Sequence, residues 1–326
     1  MKNRRSAAGT WQLEGLQLEV LGSNELEKIH RATLEVLGQT GIKITSDKAR
    51  QIFREAGAEV DKDRKLVKIP AHLVEKAVFQ SPEQLLLAGR KPEDDVVIGG
   101  KRVYFTNFSS GINILDLATE EMRETTKADV ARTARLVDYL SEIDVYSLAV
   151  TARDCPEESL YLHATEAYLQ NTTKHCHGFS GSNPEKCIAM GAAVAGGEQE
   201  LRQRPIISAD VCPQSPLQIH AQAAEVIMAC AEAGVPVTVL PAAMAGATSP
   251  VTLTGTLVLH NAEVLAGVTL AQLVEPGAPV MYGSSTSIYD VQENMSAMGA
   301  PELGVISAAL AEIARKYKLP SYLAGG

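Results

Sequence analysis

From Val103 onward the chain alternates short apolar runs with longer helical stretches, and this alternation constrains the fold more than anything else in it. Seven runs read as strands: Val103–Thr106, Val145–Thr151, His175–Ser180, Ile206–Asp210, Val237–Leu240, Val280–Gly283 and Ser321–Ala324. Between them the spacing predicts helices over Ala128–Leu140, Ser159–Asn171, Pro184–Ala195, Leu217–Ala233, Thr252–Val274 and Pro301–Tyr317. Two end in helix-stop punctuation, Ala233-Gly234-Val235-Pro236 and Glu275-Pro276-Gly277. Strands separated by helices pair in parallel, because a helical crossover returns the chain running the same way. A barrel and a doubly wound sheet both satisfy this. No GxGxxG follows the first strand, so the reading is α/β, an incomplete (β/α)8 TIM-type barrel with about seven strands. The last strand runs directly into Gly325-Gly326 with no helix after it. A βα unit without its helix leaves an apolar sheet face uncovered. The expectation is therefore a fragment, or a chain whose reading was ended by the next position.

The first hundred residues have another texture. Asn24 to Gly38 and Asp47 to Ala56 read as helices, Glu59 to Ile69 as a hairpin turning on Asp61-Lys62-Asp63-Arg64, and Ala71 to Val78 as a short helix. Gln84 to Leu87 and Val96 to Ile98 read as strands. The expected division is a small α+β cap over residues 1–102 and a partial barrel over 103–326.

Composition excludes several classes. A net charge of −9 argues against nucleic-acid binding. Five cysteines, odd in number and without a CxxC pair, point to a reducing compartment, so a cytoplasmic location is expected. The basic start Met1-Lys2-Asn3-Arg4-Arg5 leads into no apolar segment and does not read as a signal peptide. The longest apolar stretches are interrupted by Glu, His and Asn, so no membrane span is expected. Walker A, GxSxG, HExxH and dinucleotide-fingerprint motifs are absent, which gives no sign of ATP, NAD or a serine nucleophile.

In a barrel of this kind chemistry gathers at the C-terminal strand ends. The third strand carries His175-Cys176-His177, whose alternation puts both histidines on one face and Cys176 on the other. They read either as proton carriers or as satisfied core histidines. Zinc would need further ligands from Asp210 or Cys212, and the paired spacings of structural zinc sites are missing. Asp210 ends the fourth strand, as a carboxylate facing a cation or, like Ser215, as a helix cap. Gln214 follows in a stiff polar loop between two prolines. Tyr282 and Tyr289, on and after the sixth strand, could supply cation–π contacts to a methylated ammonium. Tyr104-Phe105-Thr106-Asn107-Phe108 of the first strand could add another ring, with Phe105 and Asn107 as substrate contacts.

Several segments carry a resemblance. Ile29-His30-Arg31-Ala32-Thr33-Leu34-Glu35-Val36-Leu37 with Thr40-Gly41-Ile42 is one. Ile114-Leu115-Asp116-Leu117-Ala118-Thr119 with Arg123 and Thr125-Thr126 is another, as are Lys174-His175-Cys176-His177 and Met281-Tyr282-Gly283. From Leu26 to Gly326 the chain resembles the trimethylamine:corrinoid methyltransferase family. The resemblance implies a (β/α)8 barrel that moves a methyl group from a methylated amine to Co(I) of a separate corrinoid protein, with no cofactor of its own held tightly. It implies a pyrrolysine, read from an in-frame amber codon, directly after Gly326. Within it, His175, His177 and Asp210 are the expected catalytic residues, with Phe105, Asn107, Gln214, Tyr282 and Tyr289 at the substrate and no metal ligand. Expected partners are the amine, the corrinoid protein and further copies of this chain, with no nucleic acid and no membrane. The alternatives are a quaternary-amine methyltransferase of the glycine betaine type, a non-catalytic fragment, or a zinc-dependent thiol methyltransferase using His175, His177 and Cys212.

Overall fold

The computed structural model describes residues 19–325, so the basic start Met1 to Arg5 and the final Gly326 lie outside the described residues. The described residues open with α1 (Ser23–Glu35), β1 (Ile42–Ile44), α2 (Asp47–Glu55), β2 (Glu59–Asp61), β3 (Leu66–Lys68) and α3 (Ala71–Gln80). Two hairpins come next, β4 (Leu85–Leu87) with β5 (Val96–Ile98), and β6 (Asn113–Leu115) with β7 (Met122–Glu124). They lead into α4 (Lys127–Tyr139), β8 (Tyr146–Ser147), α5 (Leu160–Asn171), β9 (Cys176–Phe179), α6 (Pro184–Ala195), α7 (Glu198–Gln203) and β10 (Ile207–Val211). The rest is β11 (Gln218–Ile219), α8 (Ala221–Ala233), β12 (Val237–Val239), β13 (Met244–Ala245), α9 (Leu253–Val274), β14 (Val280–Ser284), β15 (Ser287–Asp290), β16 (Met295–Ser296), α10 (Pro301–Lys316) and β17 (Ser321–Leu323).

Compactness divides the chain into two units, one of Leu85–Asp210 with Ala233–Pro236, the other of 19–84, Val211–Glu232 and 237–325. The division at 102/103 suggested by texture is not where contacts separate. The β4–β5 hairpin belongs with the strands β8 to β10: Ala88 N–H donates to Pro205 O at 2.9 Å and Arg90 N–H to Thr173 O at 2.7 Å. The cap helices α1, α2 and α3 all pack on α9, which is apolar around its whole circumference and needs cover on more than one side.

In the first unit β8, β9 and β10 run parallel, with Tyr146 and Ile207 both opposite Cys176, and Ser208 opposite His177. A register shift then sets Ala209 opposite Phe179, at Gly178 with its φ of +105°. The expected first strand is reduced to a parallel bridge of Thr106 to Val145. Its neighbours Val103, Phe105 and Phe108 lie exposed, so no burial drives a regular strand there. Pairing continues by other means: Asn107 Oδ1 accepts from Ser147 N–H at 3.0 Å and Asn107 Nδ2 donates to Ser147 O at 2.7 Å. Counting the Thr106 bridge, seven parallel strand positions are present among the described residues.

The faces of these strands can be assigned. Tyr146 meets Tyr168 of α5, ring centroids 6.0 Å apart, so Tyr146 and its register partner Cys176 point to the helix layer. A Cβ on Gly191 of α6 would come within 2.5 Å of Ile207 Cδ1, so Ile207 points the same way. By alternation His175, His177, Ser208 and Asp210 occupy the opposite, inner face.

In the second unit β12, β14 and β17 run parallel, Val239 opposite Tyr282 and Gly283 opposite Tyr322. Gly267 of α9 lets the helix close on the strand: a Cβ there would lie 2.8 Å from two methyls of Val239. Val239 and Tyr282 therefore face α9, and Thr238, Leu240 and Gly283 face inward. The cap contributes a four-stranded sheet of order β11-β1-β3-β2, with the expected antiparallel β2–β3 hairpin. Its outer strand β11 comes from the loop after β10, which the helical spacing over Leu217–Ala233 did not anticipate; α8 begins only at Ala221.

A buried polar chain ties α1 to this unit. Asn261 Nδ2 donates to Thr33 Oγ1 and to the Tyr317 hydroxyl, each at 2.9 Å, while Tyr282 donates to Asn261 Oδ1 at 3.1 Å. The Tyr317 hydroxyl reaches His30 Nδ1 at 3.0 Å. One helix among the described residues, Leu253–Val274, is long and apolar enough to cross a membrane, contrary to the sequence reading, but 78% of its apolar window is buried inside the protein.

Candidate active site

The inner wall of the first unit is where the expected catalytic residues converge. Asp210 lies at the C-terminal end of β10, half-buried, two positions beyond Ser208 and on the same face. Its carboxyl passes over the bulge of β9: a Cβ on Gly178 would lie 3.9 Å from Asp210 Oδ1. Burial pushes the Asp210 carboxyl up to about 6. It therefore titrates just below neutrality and is ionised at pH 7.

His175 and His177 are both fully enclosed. Burial, aided for His177 by its neighbour His175, lowers them to about 4 and about 3, so both rings are neutral. His175 sits before the first residue of β9, at the end of the strand away from Asp210. Its Nδ1 lies 3.2 Å from Ala88 O and 3.0 Å from Pro205 O, and its Nε2 lies 2.7 Å from Ser208 Oγ. The same hydroxyl lies 2.8 Å from His177 Nδ1. His175 is thus a joint between β9, β10 and the β4–β5 hairpin, the satisfied-core alternative, and this corrects its expected catalytic role. His177 and Asp210 remain on the wall.

The other expected residues scatter. Asn107 spends its amide on Ser147 and on Phe108 O, at 2.6 Å, so it is a strand-pairing residue rather than a substrate contact. Phe105 is 54% exposed, beside the Asp144 carboxylate that accepts its N–H at 2.9 Å. Tyr282 corrects the cation–π expectation: it is fully buried on the helix side of β14, its ring 5.6 Å from His260 of α9. Tyr289 lies half-buried in the β15–β16 hairpin and donates to Asn294. Gln214 is exposed and accepts a hydrogen bond from His220 in the loop that forms β11. Cys212 is exposed, and among the described residues no three His, Cys, Asp or Glu gather around a possible metal ion.

Two residues escaped the sequence reading. Ser208 bridges the histidines, and its signal was the period-two polarity of Ser208 and Asp210 within an apolar strand. Glu263 is buried in α9, where it accepts from Ser215 Oγ at 2.8 Å and Leu217 N–H at 2.7 Å. It fixes the loop after β10, and burial raises it to about 7. Its signal was a lone acid in a 22-residue apolar helix.

Parallel βα units with ionisable groups at the C-terminal strand ends define a scaffold of the (β/α)8-barrel enzyme class. The family model described as trimethylamine methyltransferase (MTTB) matches residues 3–326, and the chain belongs to that family. A trimethylamine methyltransferase MttB of Desulfitobacterium hafniense (strain DSM 10664 / DCB-2) is 48% identical over 321 residues, covering 98% of this chain and 65% of the relative. A glycine betaine methyltransferase of Desulfitobacterium hafniense (strain Y51) is 31% identical, covering 94% of this chain and 64% of the relative. The chain thus spans about two thirds of the length of these curated relatives. Among solved structures, the Methanosarcina barkeri monomethylamine methyltransferase (MtmB) matches with a TM-score of 0.54 at 11% identity, over 94% of this chain and 62% of that one, a likeness of fold.

Proposed function

We propose that this chain carries the donor-binding wall of a cytoplasmic methyltransferase that moves a methyl group from trimethylamine to the Co(I) centre of a separate corrinoid protein. The corrinoid belongs to the partner and is the acceptor substrate. In the transfer the C–N bond breaks, its electron pair leaves on nitrogen, and the cobalt pair forms the new bond to carbon. Protonated trimethylamine would leave as neutral dimethylamine. The chain's contribution is to bind and orient the donor and to stabilise its charge.

Asp210 is the observation that carries this reading. A half-buried carboxylate at a strand end, ionised at pH 7 and flanked by a neutral histidine on the same wall, favours a small cation. Family membership and the 48% identity to a trimethylamine methyltransferase support trimethylamine as that cation. The glycine betaine relative is the observation behind the second reading, a quaternary donor.

The test incubates the protein with its reduced corrinoid partner and trimethylamine, dimethylamine or glycine betaine. Loss of the Co(I) absorbance and release of the demethylated amine are followed. Turnover of trimethylamine with dimethylamine release is expected. Turnover of glycine betaine alone establishes the second reading, and no turnover of any donor establishes a non-catalytic polypeptide.

A further inference from the structure

The hydrogen bonds around Ser208 leave only one arrangement of protons, and it assigns that serine a role. His175 Nδ1 faces two carbonyl oxygens, Ala88 at 3.2 Å and Pro205 at 3.0 Å. Carbonyls only accept, so Nδ1 carries the hydrogen. The ring is neutral, so Nε2 is a bare lone pair. Ser208 Oγ, 2.7 Å from that lone pair, must give it the hydroxyl hydrogen. A hydroxyl has one hydrogen, so towards His177 Nδ1, at 2.8 Å, the same oxygen can only accept. His177 Nδ1 is therefore the protonated nitrogen. Because that ring is neutral as well, Nε2 is its acceptor side.

We infer that Ser208 is a positioning residue that holds His177 in its Nδ1–H form, so that this ring turns an acceptor and no hydrogen towards the wall shared with Asp210. Free histidine in water favours the opposite form, so the preference has to be imposed. The two backbone carbonyls impose it, and Ser208 relays it across two strands. The inference rests on the methyl-transfer reading for its purpose: a strand face that carries a carboxylate and, buried in it, an imidazole lone pair is negative throughout, and suits a methylammonium. With Ser208 removed, His177 is free to turn an N–H to the same wall, adding a positive dipole beside the cation.

Nitrogen-15 NMR of the histidine-labelled protein tests this, with His177 assigned by its loss in His177→Gln. The wild type is expected to show a protonated Nδ1 and an unprotonated Nε2, unchanged between pH 5 and pH 8. Ser208→Ala is expected to mix in the Nε2–H form and to raise KM for trimethylamine about tenfold with little change in kcat, the loss of about 1.4 kcal/mol of binding. Ser208→Thr, which keeps the hydroxyl, is expected to restore both. A wild-type His177 protonated at Nε2, or unchanged nitrogen signals in Ser208→Ala, overturns the relay. A changed tautomer with unchanged KM overturns the positioning role. If the wild type turns over no amine, the functional reading fails, while the nitrogen signals still decide the relay.

Discussion

Asp210 and His177 respond oppositely to one cause, since burial raises the acid to about 6 and lowers the base to about 3. Burial favours the neutral form in each, and only Asp210 regains its charge by pH 7. If ionised Asp210 holds the donor, the rate of methyl transfer falls as pH drops through about 6. Asp210→Asn is expected to lower the rate at pH 7.5 at least ~10-fold, the weight of one charge-assisted hydrogen bond, and to abolish that acid limb. A limb persisting in the variant would assign it to another group. The residues that carry the family resemblance turn out to be largely structural. Arg123 pairs with Asp116 at 3.0 Å and with Asp129 at 2.7 Å, and Asp129 in turn receives the Thr126 N–H at 2.9 Å, closing the β6–β7 hairpin onto α4. The Arg123 hydrogen bonds hold Asp129 well below the usual carboxylate range. Lys174 is buried with its Nζ on the carbonyls of Val137, Leu140 and Ile143, at 2.6, 2.5 and 2.5 Å, as a cap on the end of α4. The side-chain types at the strand ends were legible in the sequence; which way each one points was not. Tyr282 was read as a cage residue because an aromatic at a strand end looks the same from either face. The ring contact of Tyr282 with His260 and the close approach of Gly283 to Thr238 and Leu240, a Cβ there lying 2.5 and 2.8 Å from them, reveal that Gly283 rather than Tyr282 lines the inner side.

At the scale of elements, α9 does most to organise the second unit. It packs on α1, α2 and α3 and also meets β12 and β14. Gly267 is what lets it close on β12. Gly267→Ala is expected to destabilise by about 1–3 kcal/mol by overpacking against Val239, and Val239→Ala in the same chain to recover part of the loss. Urea denaturation of the single and double variants measures this, and strict additivity would mean that the two do not touch. Glu263 gives α9 a pH-dependent grip on the loop after β10. Its folded value, about 7, exceeds the ordinary 4.5, so its contribution to stability is greatest below pH 4.5 and is lost as pH rises through 7. Ionised, it costs about 3 kcal/mol relative to neutral. Glu263→Gln should therefore compare better with the wild type at pH 8 than at pH 5 in thermal melts; a difference independent of pH would show that the carboxyl does not titrate there. The longer helices were legible in the sequence to within a few residues, α4 at Lys127–Tyr139 against an expected Ala128–Leu140, whereas the short α7 was not read at all. The short strands were not. Val145–Thr151 shrinks to Tyr146–Ser147 because Ser110 N–H and Gly111 N–H donate to Leu148 O and Ala149 O, at 2.8 and 3.0 Å, in an irregular pairing. A pattern of apolar residues cannot distinguish that from a regular ladder.

For the whole molecule, acid is the informative perturbation. His175, His177 and His260 are buried and neutral, burial lowering them to about 4, about 3 and about 3. A base depressed in the folded state stabilises above its unfolded value of 6.5 and loses that contribution as pH falls towards the folded value. Between pH 7 and pH 5 each of the three forfeits about 2 kcal/mol, while Asp210 and Glu263 return somewhat less in sum as they become neutral. The melting temperature is therefore expected to drop from pH 7 to pH 5, and a histidine-to-glutamine change at position 260 to flatten that drop. A melting temperature higher at pH 5 would contradict the neutral assignment of these rings.

The polar chain from His30 and Thr33 to Asn261, Tyr282 and Tyr317 has a consequence for how the protein is made. Thr33 lies 228 residues before Asn261, and His30 lies 287 before Tyr317. At about 5–20 residues per second of synthesis, α1 leaves the ribosome ten seconds or more before its partners exist. During that interval the Thr33 hydroxyl can donate only to Ile29 O of its own helix, at 2.8 Å, and the side of α1 that packs on α9 has nothing of its own to meet. The first helix among the described residues is thus among the last to be secured, and nascent chains of this protein should hold it open to chaperones until α10 has been made.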